Sequence, residues 1–168
     1  YVYLGSSAGL SATPRVLEGA AIGDAFGNSV ACAGDLNGDG YADVIVGAFS
    51  ADPGMRSYAG AVHVYLGGSS GLPPLANYVL EGGAPNDLFG AVVSGGGDVN
   101  GDGYADLRVG AYSASPGGRP IAGSAFVYLG GSGRPPLHRV LEGRVTGDVF
   151  GCSVANAGEV RRVHRRGA

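Results

Sequence analysis

Two nine-residue stretches hold most of the chemistry in this chain. Residues 35–43 read DLNGDGYAD and residues 98–106 read DVNGDGYAD, each with three aspartates, in a chain only 15% charged. Side-chain oxygens fall at positions 1, 3, 5 and 9, from Asp35, Asn37, Asp39 and Asp43 in the first stretch and Asp98, Asn100, Asp102 and Asp106 in the second. Backbone carbonyls at position 7, those of Tyr41 and Tyr104, complete each set, and Gly40 permits the sharp turn that aims the oxygens inward. Carboxylates converging at that range repel one another by roughly a few kcal/mol per pair at an effective dielectric of about 20. A divalent cation removes that repulsion. Calcium suits the set better than magnesium because it takes about 6 to 8 oxygen ligands in a forgiving geometry, and better than zinc because the loops hold no histidine or thiol. Two Ca2+ sites are therefore expected.

Asp, Asn and Gly are also what ordinary turns use. Two copies that share the ninth-position aspartate, the glycines and the strand-like run behind them favour a binding loop over a chance Asx-rich turn. EF-hand and dockerin-type loops begin the same way but carry an acid at position 12, where this chain has Val46 and Val109. No helical pattern flanks either loop.

The elements that position the loops repeat with them. Phe26-Gly27, Phe89-Gly90 and Phe150-Gly151 are spaced by 63 and 61 residues, each with an aspartate two positions earlier (Asp24, Asp87, Asp148). A glutamate within the triplet LEG precedes each aspartate by six: Glu18, Glu81 and Glu142. Within a unit the apolar residues come as short runs, FGNSVACAG, DVIVGA, GAVHVYLG and YVLEG, separated by Gly, Pro, Asn and Asp. Such runs predict four short strands. In GAVHVYLG the alternation puts Val62, Val64 and Leu66 on one face and Ala61, His63 and Tyr65 on the other. One small sheet cannot bury both faces alone, so repeated four-stranded units predict blades around an axis, an all-β partial propeller. A β-solenoid, with shorter repeats, and tandem β-sandwiches, with longer ones, are the competing architectures. The boundaries read as the end of a blade over 1–19, full repeats over 20–82 and 83–143, the start of a third over 144–160 and an Arg-rich tail over 161–168.

Phe-Gly followed by SVA, then GDLNGDGYADVIVGA, then GAVHVYLG, resembles the FG-GAP repeat of integrin α-subunit propellers and of related bacterial surface proteins. The likeness runs to about residue 160, and its GAP element is VGA at 46–48 and 109–111. The resemblance implies a seven-bladed propeller, calcium in the loop between the first and second strands of a blade, and adhesion or ligand binding outside the cell. Protein or carbohydrate ligands would be held by propeller loops. Arg108 departs from the pattern, standing where the sister repeat has Ile45, and is expected to face solvent or a blade edge.

The third unit loses its loop. Nine residues after Phe150 stands Glu159, and the next ligand positions hold Arg161, Val163 and Gly167, so no third cation site is expected. GDGYTDV can be encoded GGC GAC GGG TAC ACC GAC GTx. Read from its third base, that string gives RRVHRR, the residues at 161–166. A frameshift inside a third loop is thus the favoured origin of the tail, in keeping with 11 Arg and no Lys; a true basic tail binding an acidic surface is the other.

Composition limits the rest. The 34 glycines and 9 prolines among 168 residues leave little room for long helices. Four arginines lie in the last eight residues, leaving 7 basic and 14 acidic groups over 1–160, a balance that disfavours nucleic acid. No apolar run approaches the ~18 residues that would span a bilayer. Cys32 and Cys152 occupy unmatched repeat positions and read as small, partly buried hydrophobes without a bridge. Residues 5–9 and 67–71 match GxSxG, the nucleophile elbow of hydrolases, but sit after YLG where a turn and no helix is expected. His63 shares its repeat position with Phe126, and His138 lies in a variable connection. No catalytic set emerges, so the chain is read as a binding segment and not an enzyme. The alternative is an accessory propeller of a surface enzyme whose catalytic domain lies elsewhere. Two whole units with partial neighbours form an incomplete ring, so open blade faces lined by Val44, Val62, Val64 and Val127 and self-association are expected.

Overall fold

A computed structural model describes residues 1–7 and 9–156. The Arg-rich tail and the third-unit positions from Glu159 onward lie outside the described residues. Valine-, tyrosine- and leucine-rich runs closed by glycine turns leave the backbone extended, and every long element is a strand. A short hairpin, β1 (Gly5–Ser6) with β2 (Gly9–Leu10), opens the chain. The first blade follows as β3 (Phe26–Gly34), β4 (Asp43–Ala48), β5 (Ala61–Tyr65) and β6 (Tyr78–Glu81). The second is β7 (Val92–Gly97), β8 (Asp106–Ala111), β9 (Ser124–Tyr128) and β10 (Leu137–Glu142). Each blade is an antiparallel meander with its strands in sequence order, the arrangement of a partial propeller. Among the described residues helix is limited to single 3-10 turns at Pro53–Met55 and Pro116–Gly118, between the second and third strands of each blade.

Burial follows the period of two that each strand imposes. Ile45, Val62 and Val64 are fully buried on one face of the first blade, where they share a core with Leu107, Val109 and Phe89 of the second. The opposite face carries Val46, Tyr65 and Val44, covered in part by Val2 and Leu17 from the opening residues. Val2 pairs with Arg15 as an isolated antiparallel bridge flanking the β1–β2 hairpin. Val62 and Val64 therefore line the contact between blades and not an open face. The open faces fall instead on the Val44 side of the first blade and the Val127 side of the second.

Arg108 occupies that second outer face, because Leu107 and Val109 on either side of it point into the core. It is half-buried in a cleft with Val127, Leu141 and Phe150, and its Nη1 has no hydrogen-bond partner. Arg108 thus stands on an outer face, but its guanidinium is half-buried there instead of reaching solvent as expected. Cys32 and Cys152 are both exposed and unbridged, not partly buried, since Cys32 shares the outward face of β3 with Val30.

Candidate metal centres

Each predicted loop joins the first and second strands of its blade, 35–42 between β3 and β4 and 98–105 between β7 and β8. In the first, Asp35 folds back over the turn. Its Oδ1 accepts the N–H groups of Gly38 at 2.7 Å and Asp39 at 3.1 Å, and its Oδ2 accepts that of Gly40 at 2.8 Å. Asn37 Oδ1 accepts Asp39 N–H at 3.1 Å and its amide donates to Asp39 Oδ2 at 2.9 Å, while Asp39 Oδ1 accepts Tyr41 N–H at 2.9 Å. The second loop repeats this knot bond for bond with Asp98, Asn100, Asp102 and Tyr104. The structure thus brings positions 1, 3 and 5 together in each loop.

Position 9 is held separately. Asp43 is fully buried at the start of β4, its Oδ2 accepting Leu36 N–H at 2.7 Å and its Oδ1 accepting Gly67 N–H at 2.7 Å. Asp106 is equally buried and accepts from Val99 at 2.6 Å and Gly130 at 2.9 Å. No three acidic, histidine or cysteine side chains among the described residues gather closely enough to hold a metal by themselves. Asn and carbonyl oxygens would have to complete the set.

Electrostatics shows what the loops lack. Burial pushes the Asp43 carboxyl above its usual range, the N–H groups of Gly67 and Leu36 oppose this, and the nearby charges of Asp39 and Asp35 add to it. Asp98 moves the other way, drawn down chiefly by the Gly103 N–H, with further loop N–H groups helping against desolvation. The ion pairs among the described residues, Arg56 with Glu81 and Arg119 with Glu142, lie at the ends of β6 and β10, so no side-chain cation answers the buried Asp43. Apart from Asp35 Oδ1 and Asp98 Oδ1, which each accept two N–H groups, the loop carboxylate oxygens keep a second lone pair beside the bond they accept. All-oxygen donors and a buried, uncompensated charge fit a hard cation.

Sequence reasoning missed Gly67 and Gly130, which anchor position 9. A Cβ on Gly67 would fall 2.3 Å from the Ala42 carbonyl oxygen, and one on Gly130 2.2 Å from that of Ala105. The signal was present as the repeated YLGG at 65–68 and 128–131. Residues 67–71 form a tight turn, with Gly71 N–H donating to the Gly68 carbonyl at 2.8 Å, and Gly5 and Gly9 lie on the two strands of the opening hairpin. Neither is a strand-to-helix elbow.

A family profile for the FG-GAP repeat matches residues 26–65 and 89–128, each span running from the Phe-Gly pair through the loop to the end of the third strand. The chain carries two FG-GAP repeats. It is 38% identical to chicken integrin alpha-8 over 132 residues, covering 76% of this chain and 12% of that protein. It is 41% identical to mouse integrin alpha-IIb over 107 residues, covering 63% of this chain and 10% of that protein. Rat phosphatidylinositol-glycan-specific phospholipase D is 39% identical over 108 residues, 60% of this chain and 13% of that protein. The FG-GAP chain thus spans about a tenth of the length of these relatives. No helix among its described residues is long and apolar enough to cross a membrane.

Proposed function

We propose that this FG-GAP chain is a calcium-binding propeller segment of a secreted or cell-surface protein, acting in adhesion or ligand binding. The observation that carries the reading is the buried Asp43, whose carboxylate feels the negative charges of Asp39 and Asp35 with no cationic side chain to offset them. A buried charge in such company is costly unless a cation joins it. Two Ca2+ ions are assigned, one to Asp35, Asn37, Asp39, Asp43 and the Tyr41 carbonyl, the other to Asp98, Asn100, Asp102, Asp106 and the Tyr104 carbonyl. The ions would hold the strand-connecting loops in one shape. Ligands, a protein or a carbohydrate, would then meet propeller loops, and the segment itself performs no catalysis. Integrin alpha chains over most of its length support the adhesive role.

A second reading rests on the phospholipase D relative: an accessory propeller whose enzyme domain lies elsewhere in a longer protein. Flanking gene sequence separates the two, further FG-GAP repeats favouring the first and a catalytic domain the second. For the metal itself, calorimetric titration of chelator-treated protein should give a stoichiometry near two, with affinities of ~10⁻⁵ to 10⁻³ M as in extracellular modules. Asp39→Ala and Asp102→Ala should each remove one ion. A stoichiometry of none or one in the unsubstituted chain would defeat the assignment.

A further inference from the structure

The two loops touch. The main-chain carbonyl of Asp35 accepts the Ala105 N–H at 3.0 Å, and that of the buried Leu36 accepts the Gly131 N–H at 2.7 Å. The Tyr104 ring lies over Gly38, where a Cβ would fall 2.7 Å from the ring's Cε1. Gly38 also sits at φ 76, so both its backbone and its bare surface are what this contact requires. Tyr104 and Ala105 are positions 7 and 8 of the second loop, and Asp106 follows directly. Tyr41, the sister residue, has no such seat among the described residues and is 45% exposed, whereas Tyr104 is half-buried.

We infer that Tyr104 is a positioning residue that couples the two loops, so that a cation in either one favours a cation in the other. The inference rests on the reading of both loops as cation sites. A cation on Asp35 and Asp39 fixes the turn that carries Gly38 and the Asp35 carbonyl. That turn is the seat of the Tyr104 ring and of the Ala105 N–H. The Tyr104 carbonyl is in turn a candidate ligand of the second loop, so ordering the first loop removes part of the ordering cost of the second. Linkage makes the effect reciprocal, with the same factor in both directions. The ring acts through the neighbouring backbone, since position 7 offers its carbonyl whatever side chain it bears.

Calcium titration of the full chain tests this. The product of the two association constants of the unsubstituted chain should exceed the product of those of Asp39→Ala and Asp102→Ala by about fivefold or more. With Tyr104→Ala added to all three chains the ratio should fall to about one, and with Tyr104→Phe, which keeps the ring, it should persist. Hydrogen exchange gives a second readout: in the Asp102→Ala chain, calcium should slow exchange of the Ala105 N–H. Two bound ions with a ratio of one, a ratio indifferent to Tyr104→Ala, or unchanged Ala105 exchange would overturn the coupling alone. No bound ion at either loop would overturn the metal reading and the coupling together.

Discussion

His63 shows how one position in a repeat acquires its own pH response. It alternates with Val62 and Val64 on β5, so its ring lies on the opposite face, edge-on to Phe26 with centroids 5.2 Å apart. Burial lowers its pKa below the ordinary 6.5, and the Asp24 carboxylate pulls only partly the other way. Glu18 lines the same cleft. The folded chain therefore favours the neutral ring. Well above pH 6.5 neither state is protonated and His63 contributes no pH dependence; as pH falls through 6.5 the unfolded chain gains a proton that the folded one resists, and stability is lost until the folded pKa is passed. His63→Phe, the residue of the sister repeat at Phe126, should remove this loss. Melting temperatures of the two chains should run parallel at high pH and separate below 6.5, and curves that stay parallel throughout would show His63 to be silent.

Among the elements, the Phe-Gly turn and the Arg–Glu clasp recur in both blades and differ in energetic weight. Phe89 is 1% exposed and meets Phe126 and Tyr128 edge-on, with centroids at 5.1 and 6.3 Å. Truncating it empties the core between blades, and Phe89→Ala should cost about 3–5 kcal/mol. The clasp from Arg119 to Glu142 spans 3.0 Å, yet its side chains are 36% and 47% exposed. Solvent screens such a pair, so Glu142→Gln should cost under about 1 kcal/mol. Urea unfolding of both variants checks the ranking; a loss on Glu142→Gln as large as that on Phe89→Ala would overturn it.

At the scale of the whole molecule, the described residues leave apolar surface that a neighbouring blade would cover. Leu141 and Phe150 are 43% and 40% exposed beside the unpartnered Arg108 Nη1, and Val30 is 64% exposed on the first blade. Exposed patches of this kind drive association. The chain by itself, at 16.6 kDa, should sediment as oligomers or aggregates in millimolar calcium, and adding flanking blades should return a monomer. A monodisperse, cooperatively unfolding monomer would show that these residues satisfy themselves.

Local chemistry was legible from the residues alone. Alternating valines and glycine-closed runs marked the strands to within a few residues, and the spacing of Asp, Asn and Gly marked both loops, because strand period and turn geometry are set by near neighbours in the chain. Which face of each strand meets the other blade was not legible, since both faces are apolar and only docking chooses between them. That choice placed Val62 and Val64 in the inter-blade core and left Arg108 on an outer face with an unpaired nitrogen. It also set Tyr104 on Gly38, while strand pairing within each blade aimed the Gly67 and Gly130 N–H groups at buried aspartates. Gly67 lies 24 residues from its aspartate and Tyr104 belongs to the next repeat, and no local pattern encodes a contact across that separation.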